Sequence, residues 1–501
     1  MNKQIALSGN PIVEYLGEEA TDFTREDIIK YIEENEIRHV NFMYPSSDGR
    51  LKTLNFFINN RAYLEEILIY GERVDGSSLF TFIDSSNSDI YVIPRIKTAF
   101  LDPFTEEPSV SFLCAFFDKD SNPLASSPQH TLHKAAEEFR KTTSMEFCTM
   151  GELEYYVIAD NVPLYEAEKQ HGYHESEPYA KFNKFRCECM TYIAQTGGLM
   201  KYGHSEVGNF ILNDKLYEQN EIEFLPTLVE DAADQLMLAK WVIRNLGFMR
   251  GLNVTFAPKI ISGNAGSGLH VHMKVTKGGK NMMLKNGKLS DIAKRVIAGL
   301  VDTADAFTAF SNMNPTSYFR LVPHQEAPTN ICWGDRNRSA LIRVPLGWNA
   351  NKDMSAMVNP NEKPLRLTSS QKQTIEIRNG DGSADIYLMM AAVTVAARHG
   401  FEMDDALEVA AKNYVDVNIH KAENSSKLST LASLPDSCYK SAQALRAKKD
   451  IYTAKGVFDS DMLESQARML ENFKDQSLRE DVTKKGEKAI LEVVNKYFHC
   501  G

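Results

Sequence analysis

The sequence predicts an α+β protein with two domains, a small one first and a much larger one behind it. Its 501 residues are more than one compact core usually organises. Strand-like patterning dominates residues 39–94, and Pro103 and Pro108 follow as boundary signals. Farther on, strand-like and helical segments alternate until a helical, charge-rich tail. We therefore expect domains at residues 1–105 and 106–501.

The first domain is predicted to start with a helix over about residues 24–35. Thr24-Arg25-Glu26-Asp27 is typical of a helix cap, and an apolar stripe follows it. Residues 40–58 have the pattern of a hairpin, and residues 89–93 that of a later strand. The segment Val74-Asp75-Gly76-Ser77-Ser78 between them indicates a loop.

The second domain combines strands with long apolar helices. A period-two pattern predicts strands, whereas a longer apolar stripe predicts helices. The predicted elements are strands at 109–117 and 145–158, helices at 130–141, 231–246 and 290–310, short strands near 254, 270, 341 and 375, and helices from 403 onward.

Composition excludes several classes of function. A net charge of −11 argues against a nucleic-acid-binding surface, which needs a basic stripe. The seven scattered cysteines are typical of free thiols in a reducing cytosol. Residues 1–23 lack the pattern of a signal peptide, and the longest apolar run, near 387–397, is too short to cross a bilayer. We expect a soluble cytoplasmic protein without nucleic-acid or membrane partners.

The most informative pattern is a pair of polar side chains flanking one apolar residue. Both polar groups of such a pair face the same side of a strand. Carboxylates gathered on one face repel each other, and Mg²⁺ or Mn²⁺ relieves that repulsion. Any one pair alone is more often the solvated face of an edge strand. The pairs are Glu152-Leu153-Glu154, Glu221-Ile222-Glu223, His270-Val271-His272 and Glu376-Ile377-Arg378. With Glu206 added, the pattern predicts six ligands for two such cations, namely Glu152, Glu154, Glu206, Glu221, His270 and Glu376.

Arginines among apolar residues form the second pattern. Arg320 lies in such a segment, and residues 336–343 contain three more arginines. Their planar guanidinium groups suit carboxylate or phosphate oxygens, and each one alone is more often part of an internal salt bridge. Together with metals they indicate phosphoryl transfer. The chain has no P-loop motif, and the glycine-rich loop 263–268 either admits a substrate close to the backbone or is a plain turn.

Taken in order, these segments resemble glutamine synthetase, specifically the bacterial class I enzymes. The resemblance runs from about residue 37 through nearly the whole chain. The motifs that carry it are Val74–Ser78, Glu152–Tyr156, His204–Gly208, Glu218–Glu221, Phe256–Lys259, Gly266–His272, Arg320–Pro323, Glu326–Pro328, Asn337–Ser339 and Ile375–Arg378.

The resemblance implies a role for each matching residue. A β-grasp-like first domain would precede a catalytic domain built on a curved antiparallel sheet, a half-barrel flanked by helices. The implied ligands are Glu154, Glu206 and Glu221 for the first metal, and Glu152, His270 and Glu376 for the second. The implied ATP-binding residues are His272, Lys274, Arg338 and Arg343. The implied substrate-binding residues are Ala265, Gly266, Arg320, Glu326 and Arg378. The implied catalytic residues are Asp75, Glu326, Arg338 and Arg378.

The implied reaction joins glutamate and ammonia, at the expense of ATP, through γ-glutamyl phosphate. Arg338 and Arg378 would neutralise the transferred phosphoryl group, and Glu326 would belong to a flap that excludes water. Asp75 would take a proton from ammonium in a neighbouring subunit's site, in a dodecamer of two hexameric rings. The alternatives are a ligase of the same fold that uses another amine, and a non-catalytic family member, which intact metal positions disfavour.

The chain departs from the family pattern at several positions. Fourteen residues, 207–220, separate Glu206 from Glu221, more than is usual, and Glu218 replaces a glycine. Ala265 stands where asparagine is common, and Gln371 where many members have a nucleotide-contacting lysine. The first changes put the acceptor amine in doubt. The family's modified tyrosine aligns with valine here, so adenylylation is not predicted.

Overall fold

The computed structural model describes residues 7–322, 327–347, 352–365, 372–419 and 421–501. The fold is α+β, as predicted, with a β-grasp sheet followed by a curled half-barrel sheet. The elements of the first part are the strands β1 (His39–Pro45), β2 (Leu51–Phe57), β3 (Glu72–Asp75), β4 (Asp89–Pro94), β5 (Phe100–Leu101) and β6 (Ser109–Phe117), and the helices α1 (Pro11–Leu16), α2 (Arg25–Glu34) and α3 (Arg61–Tyr70).

The first sheet has the order β2-β1-β6-β4-β3, with β5 beside β6. Its two central strands, β1 and β6, run parallel, and the other pairs are antiparallel. Val40, Phe42, Val110 and Phe112 on these central strands are fully buried and form the core. The predicted helix begins as expected, because Thr24 and Asp27 form a reciprocal capping box.

The predicted domain boundary at residue 105 stays a prediction. Strand β6 follows that position, yet it pairs with β1 and β4 in the first sheet. Its apolar residues on both faces suit a central strand of that sheet. The two parts of the chain are also joined by an ion pair. The Arg95 guanidinium of the first part donates hydrogen bonds of 2.6 and 2.9 Å to the Asp234 carboxylate of the second, which also accepts one from the Tyr387 hydroxyl.

The second part holds the remaining elements. Its strands are β7 (Glu146–Asp160), β8 (Met200–Leu212), β9 (Lys215–Phe224), β10 (Thr227–Leu228), β11 (Asn253–Thr255), β12 (Leu269–Lys277), β13 (Lys280–Asn281), β14 (Leu284–Lys285), β15 (Lys288–Leu289), β16 (Trp333–Asp335), β17 (Ile342–Val344) and β18 (Ile375–Ile377). Its helices are α4 (Pro128–Thr143), α5 (Asn183–Gln195), α6 (Val229–Met249), α7 (Asp291–Ser311), α8 (Ser317–Arg320), α9 (Met354–Val358), α10 (Ile386–Glu402), α11 (Ala406–Lys412), α12 (Ser425–Leu428), α13 (Cys438–Ala447), α14 (Lys449–Thr453), α15 (Ser460–Glu471), α16 (Leu478–Lys485) and α17 (Glu487–Lys496). Short 3₁₀ helices lie at Ala20–Asp22, Gly76–Ser78, Ser85–Asn87, Ile96–Thr98, Ala422–Asn424 and Ala454–Gly456.

The main path of the large sheet is β16-β17-β18-β12-β7-β9-β8, antiparallel except for β16 and β17. The long strand β7 lies at its centre and pairs with four other strands. Helix α6 packs against β7, and Gly151 permits this contact, because a Cβ there would lie 2.7 Å from Leu236. Helices α4, α7 and α10 pack on the same side of the sheet as α6 and share one apolar core with it. The other face of the sheet is left open.

Within the described residues, no helix is both long enough and apolar enough to cross a membrane.

Candidate active site

The register of the large sheet brings the polar pairs of the sequence side by side. Glu152 of β7 lies between His270 of β12 and Glu223 of β9. On the next rungs, Glu221 lies opposite both Glu154 and His204, and Glu376 lies opposite both His272 and Arg343. Because side chains alternate along each strand, these groups converge on the open face of the sheet.

Glu152, His270 and Glu376 form a compact group. Their ligand atoms all lie within 4.8 Å of one another. His270 Nδ1 is 3.1 Å from Glu152 and 3.7 Å from Glu376, and His272 Nε2 is 2.7 Å from Glu152. Burial opposes ionisation of Glu152, but the imidazoles of His272 and His270 outweigh it and hold the pKa of this carboxyl well below its usual range. Two carboxylates and one imidazole suit Mg²⁺ or Mn²⁺.

Two arginines face the same group. Arg343 and Arg378 each contact the Glu376 carboxylate at 3.0 Å, and the Glu376 side chain is only 2 % exposed. Arg378 also donates to the backbone carbonyl of Arg338. The buried Glu376 carboxylate therefore holds both guanidinium groups next to Glu152 and His270. In this position they can neutralise the charge of an anionic group that is transferred in the cavity.

The three residues predicted for the first metal adopt different arrangements. Glu154 Oε2 accepts hydrogen bonds from Gly268 N at 2.7 Å and from Gln219 Nε2 at 2.9 Å. Glu206 lies in a β-bulge between Ser205 and Asn209, and it accepts from the backbone N–H of Val207. Burial, and then repulsion from Glu152 and Glu154, raise the pKa of Glu221 well above its usual range. The assignment of these three to one metal stays a prediction.

A second compact group instead joins Glu221 to two residues that the sequence-based assignment left out. The ligand atoms of His204, Glu221 and Glu223 lie within 4.8 Å of one another. Glu223 has the signal that identified the others, as the second polar residue of Glu221-Ile222-Glu223. His204 lacks it, because Ser205 and not an apolar residue separates His204 from Glu206, and only the pairing of β8 with β9 places it opposite Glu221.

The glycine-rich loop is fixed from two sides. Ala265 N donates to Gln170 at 2.6 Å, and Tyr156 donates to the carbonyl of Ala265 at 2.8 Å. Arg320 is 5 % exposed and donates to two backbone carbonyls next to Arg378. A Cβ on Gly268 would lie 2.5 Å from Arg320 Nη2, so a side chain there would displace the Arg320 guanidinium.

One cavity of about 1010 Å³ contains most of the predicted site. Its metal-type lining residues are Glu152, Glu154, Glu206, Glu221, His270 and Glu376, and its other predicted lining residues are His272, Ala265, Gly266, Arg320, Arg338, Arg343 and Arg378. Lys274 does not line it, although it follows His272 by two positions on β12. Glu326 and Gln371 lie outside the described residues.

Asp75 lies apart from this cavity, at an exposed position in the first domain. It caps the short helix Gly76–Ser78 and accepts from the hydroxyls of Ser77 and Ser78 at 2.7 Å. The Ser78 and Ser77 hydroxyls lower the pKa of Asp75 below its usual range. An exposed, ionised carboxylate of this kind is available to a neighbouring molecule.

The long segment 207–220 extends a hairpin, and Val207 and Gln219 at its two ends line the cavity. It lengthens β8 and β9, whose tight turn uses Asn213 and Asp214 with positive φ. Glu218 is 4 % exposed and accepts from the backbone N–H groups of Lys181 and Phe182 just before α5. Glu218 therefore anchors the loop after β7, and this explains a carboxylate where glycine is usual.

We expect Glu218→Ala to loosen this anchor locally. Two partly buried N–H groups would lose their acceptor, at a cost of about 1–3 kcal/mol. Hydrogen exchange should accelerate at the amides of Lys181 and Phe182, while Glu166→Ala, an exposed change in the same loop, should leave them unaffected. Unchanged protection in Glu218→Ala would refute the anchoring role.

Comparisons with known proteins agree with this architecture. The profile of "Glutamine synthetase, beta-Grasp domain" matches residues 36–119, and that of "Glutamine synthetase, catalytic domain" matches residues 125–484. A glutamine synthetase of Frankia alni is 28% identical, with 88% of this chain and 94% of the relative covered. One of Vibrio cholerae is 27% identical over the same shares.

Solved structures of low sequence identity have the same fold. A Plasmodium falciparum glutamine synthetase superposes with a TM-score of 0.72 at 19% identity, covering 91% of this chain and 97% of that one. A protein named GmaS superposes with a TM-score of 0.70 at 18% identity, covering 90% and 96%.

Proposed function

Because this chain belongs to the glutamine synthetase family and is thus an ATP-dependent carbon–nitrogen ligase, we propose that it joins glutamate and ammonia to form glutamine. The observation that carries the proposal is the open sheet face on which Glu152, His270 and Glu376 meet Arg343 and Arg378. Carboxylates for cations and guanidinium groups for anions are what phosphoryl transfer to a carboxylate requires.

The chemistry follows from the charges in the cavity. A carboxylate is a poor electrophile, and phosphorylation of the glutamate side chain gives it a good leaving group. Arg338 and Arg378 would neutralise charge on the transferred phosphoryl group, and Arg343 would lie near ATP. Ammonia would then attack γ-glutamyl phosphate and displace phosphate. Arg320 and the loop at Ala265 and Gly266 would hold the glutamate.

The family implies divalent cations. Glu152, His270 and Glu376 would hold one, and Glu154, Glu206 and Glu221 another, consistent with their shared cavity. A bound Mg²⁺ or Mn²⁺ would supply charge neutralisation at phosphate oxygens. Both ligand sets are hard oxygen donors with at most one imidazole, as these ions prefer.

Water must be excluded while the acyl phosphate exists, and ammonium must lose a proton before it attacks. We assign these roles to Glu326, in a closing flap, and to Asp75 of a neighbouring subunit. His272 and Lys274 would contact ATP. The assembly we propose is a cytoplasmic dodecamer of two hexameric rings.

A γ-glutamyl ligase for another amine is the second candidate. The observation that favours it is a set of rings, Tyr173, His174 and Tyr202, that line the cavity together with Glu221 and Glu223. Aromatic faces and carboxylates receive alkylammonium cations.

The test is phosphate release by purified protein with ATP, Mg²⁺ and glutamate, comparing ammonia with methylamine, longer monoamines and diamines. We expect ammonia to give the largest kcat/KM. A larger value for an alkylamine would favour the second candidate, and no stimulation by any amine would refute both.

A further inference from the structure

His204 and Glu221 lie close together but do not form a hydrogen bond with each other. His204 Nδ1 lies 3.0 Å from the carbonyl of Ser205, which can only accept, so that nitrogen carries the hydrogen. The lone pair of Nε2 is then directed into the cavity, where it lies 3.9 Å from Glu221 Oε2. This distance is too long for a hydrogen bond. Two electron-rich atoms therefore face a common space, as they do around a bound cation.

Glu221 has no hydrogen-bond donor among the described residues, although it is only 5 % exposed. Its neighbours differ in this respect. Glu152 contacts two imidazoles, Glu376 contacts two arginines, and Glu223 contacts Lys201. A buried carboxylate without a partner is costly, so the structure leaves a place for positive charge beside Glu221.

We propose that His204, Glu221 and Glu223 form a third divalent-cation position, which shares Glu221 with the metal set Glu154, Glu206 and Glu221. This proposal depends on the proposed function only in taking the two metal positions assigned there as given. One imidazole and two carboxylates are the same donor set as in Glu152, His270 and Glu376, and they suit Mn²⁺ or Mg²⁺.

The Lys201 ammonium competes with a metal cation for the Glu223 carboxylate. Its ammonium forms an ion pair with Glu223, and its side chain is 34% exposed while that of Glu223 is 5% exposed. A cation that binds Glu223 displaces this ammonium. Lys201 already lies 4.6 Å from the centre of the Tyr202 ring and 3.4 Å from its hydroxyl, so it keeps a favourable contact when displaced.

The competition predicts opposite effects for two substitutions. Lys201→Met removes the competitor, and we expect Mn²⁺ to bind this position at least about tenfold more tightly, which corresponds to the loss of one partly buried hydrogen bond between charged groups. Glu223→Gln removes one ligand, and we expect the site to stay empty at the same Mn²⁺ concentration. Lys215→Met is the control, because Lys215 pairs with Asp160 at the far end of the hairpin.

Anomalous diffraction from Mn²⁺-soaked crystals provides the readout, with affinities from electron paramagnetic resonance. We expect a peak about 2.2 Å from His204 Nε2, within the usual range of metal–ligand distances. It should strengthen in Lys201→Met, disappear in Glu223→Gln and stay unchanged in Lys215→Met. A peak among Glu152, His270 and Glu376 should persist in all of them.

The proposal is overturned if Lys201→Met shows no peak beside His204, or if Glu223→Gln retains one. The first result would make Lys201 the permanent counter-ion of Glu223. Failure of the proposed function is read separately, as absence of amine-stimulated phosphate release, and it leaves the position of the peaks interpretable.

Discussion

In the Glu376→Gln variant we expect the rate of phosphate release to fall by at least about 100-fold while the protein remains folded. This is the size of effect that follows when one preorganised charged or hydrogen-bonding group is removed from an active site. Glu376 is the carboxylate on which Arg343, Arg378 and His270 converge. Glutamine has the same shape but no charge, so a cation in this group loses a ligand. We expect the same result for Glu152→Gln.

A matched control lies on the same strand as Glu152. Glu146 begins β7, where its exposed carboxylate pairs with Arg140. Glu146→Gln should leave turnover close to that of the unmodified protein, because exposed ion pairs contribute little. Circular dichroism and Mn²⁺ binding would accompany the phosphate assay. Near-normal turnover of Glu376→Gln or Glu152→Gln would contradict the assignment of these residues to the second metal.

The second large effect is expected for Asp75→Asn. If Asp75 takes the proton from ammonium, turnover with ammonia should fall by roughly 10²–10⁴-fold, the range for a lost general base. Asparagine still caps the short helix at residues 76–78, so the loop keeps its shape. ATP affinity, measured by equilibrium binding, should not change. An equal loss of ATP binding would indicate a folding defect instead.

Mixing subunits tests where Asp75 acts. Asp75→Asn and Glu376→Gln chains, each inactive alone, would be dissociated and reassembled together. If Asp75 serves a neighbouring subunit, some sites in the mixture combine an intact Asp75 with an intact Glu376, and turnover returns. If it serves its own chain, no site is complete and the mixture stays inactive. Recovery at the level expected for random mixing would support the proposed assembly.

The sequence predicted the long elements of the large domain because their patterns are local. The predicted helix 290–310 is α7, and the strand 145–158 is β7, each within a residue or two. The hairpin of β8 and β9 was not predicted as a unit. Its residues alternate only in part, and a bulge at Glu206 interrupts the period.

The role of Glu218 shows that a motif alone does not predict which residues a side chain contacts. From its position we predicted an effect on the acceptor pocket, because Glu218 replaces a glycine close to Glu221 in the sequence. In the fold its carboxylate accepts hydrogen bonds from the chain just before α5, at residues that precede it by 37 and 36 positions. Which groups a side chain meets depends on strand pairing, and no local pattern encodes that.

By itself, the chain's order of residues determined the fold class, the family and a set of charged groups that share strand faces, because period-two alternation is a local property. Only the tertiary structure decided how those groups combine. Register between β8 and β9 placed His204 opposite Glu221, on the strand that also contains Glu223, and Asp75 lies on β3 of the first sheet, outside the cavity. Register is a relation between distant segments, set by packing of the whole sheet against its helices, and a one-residue slip would reverse every face.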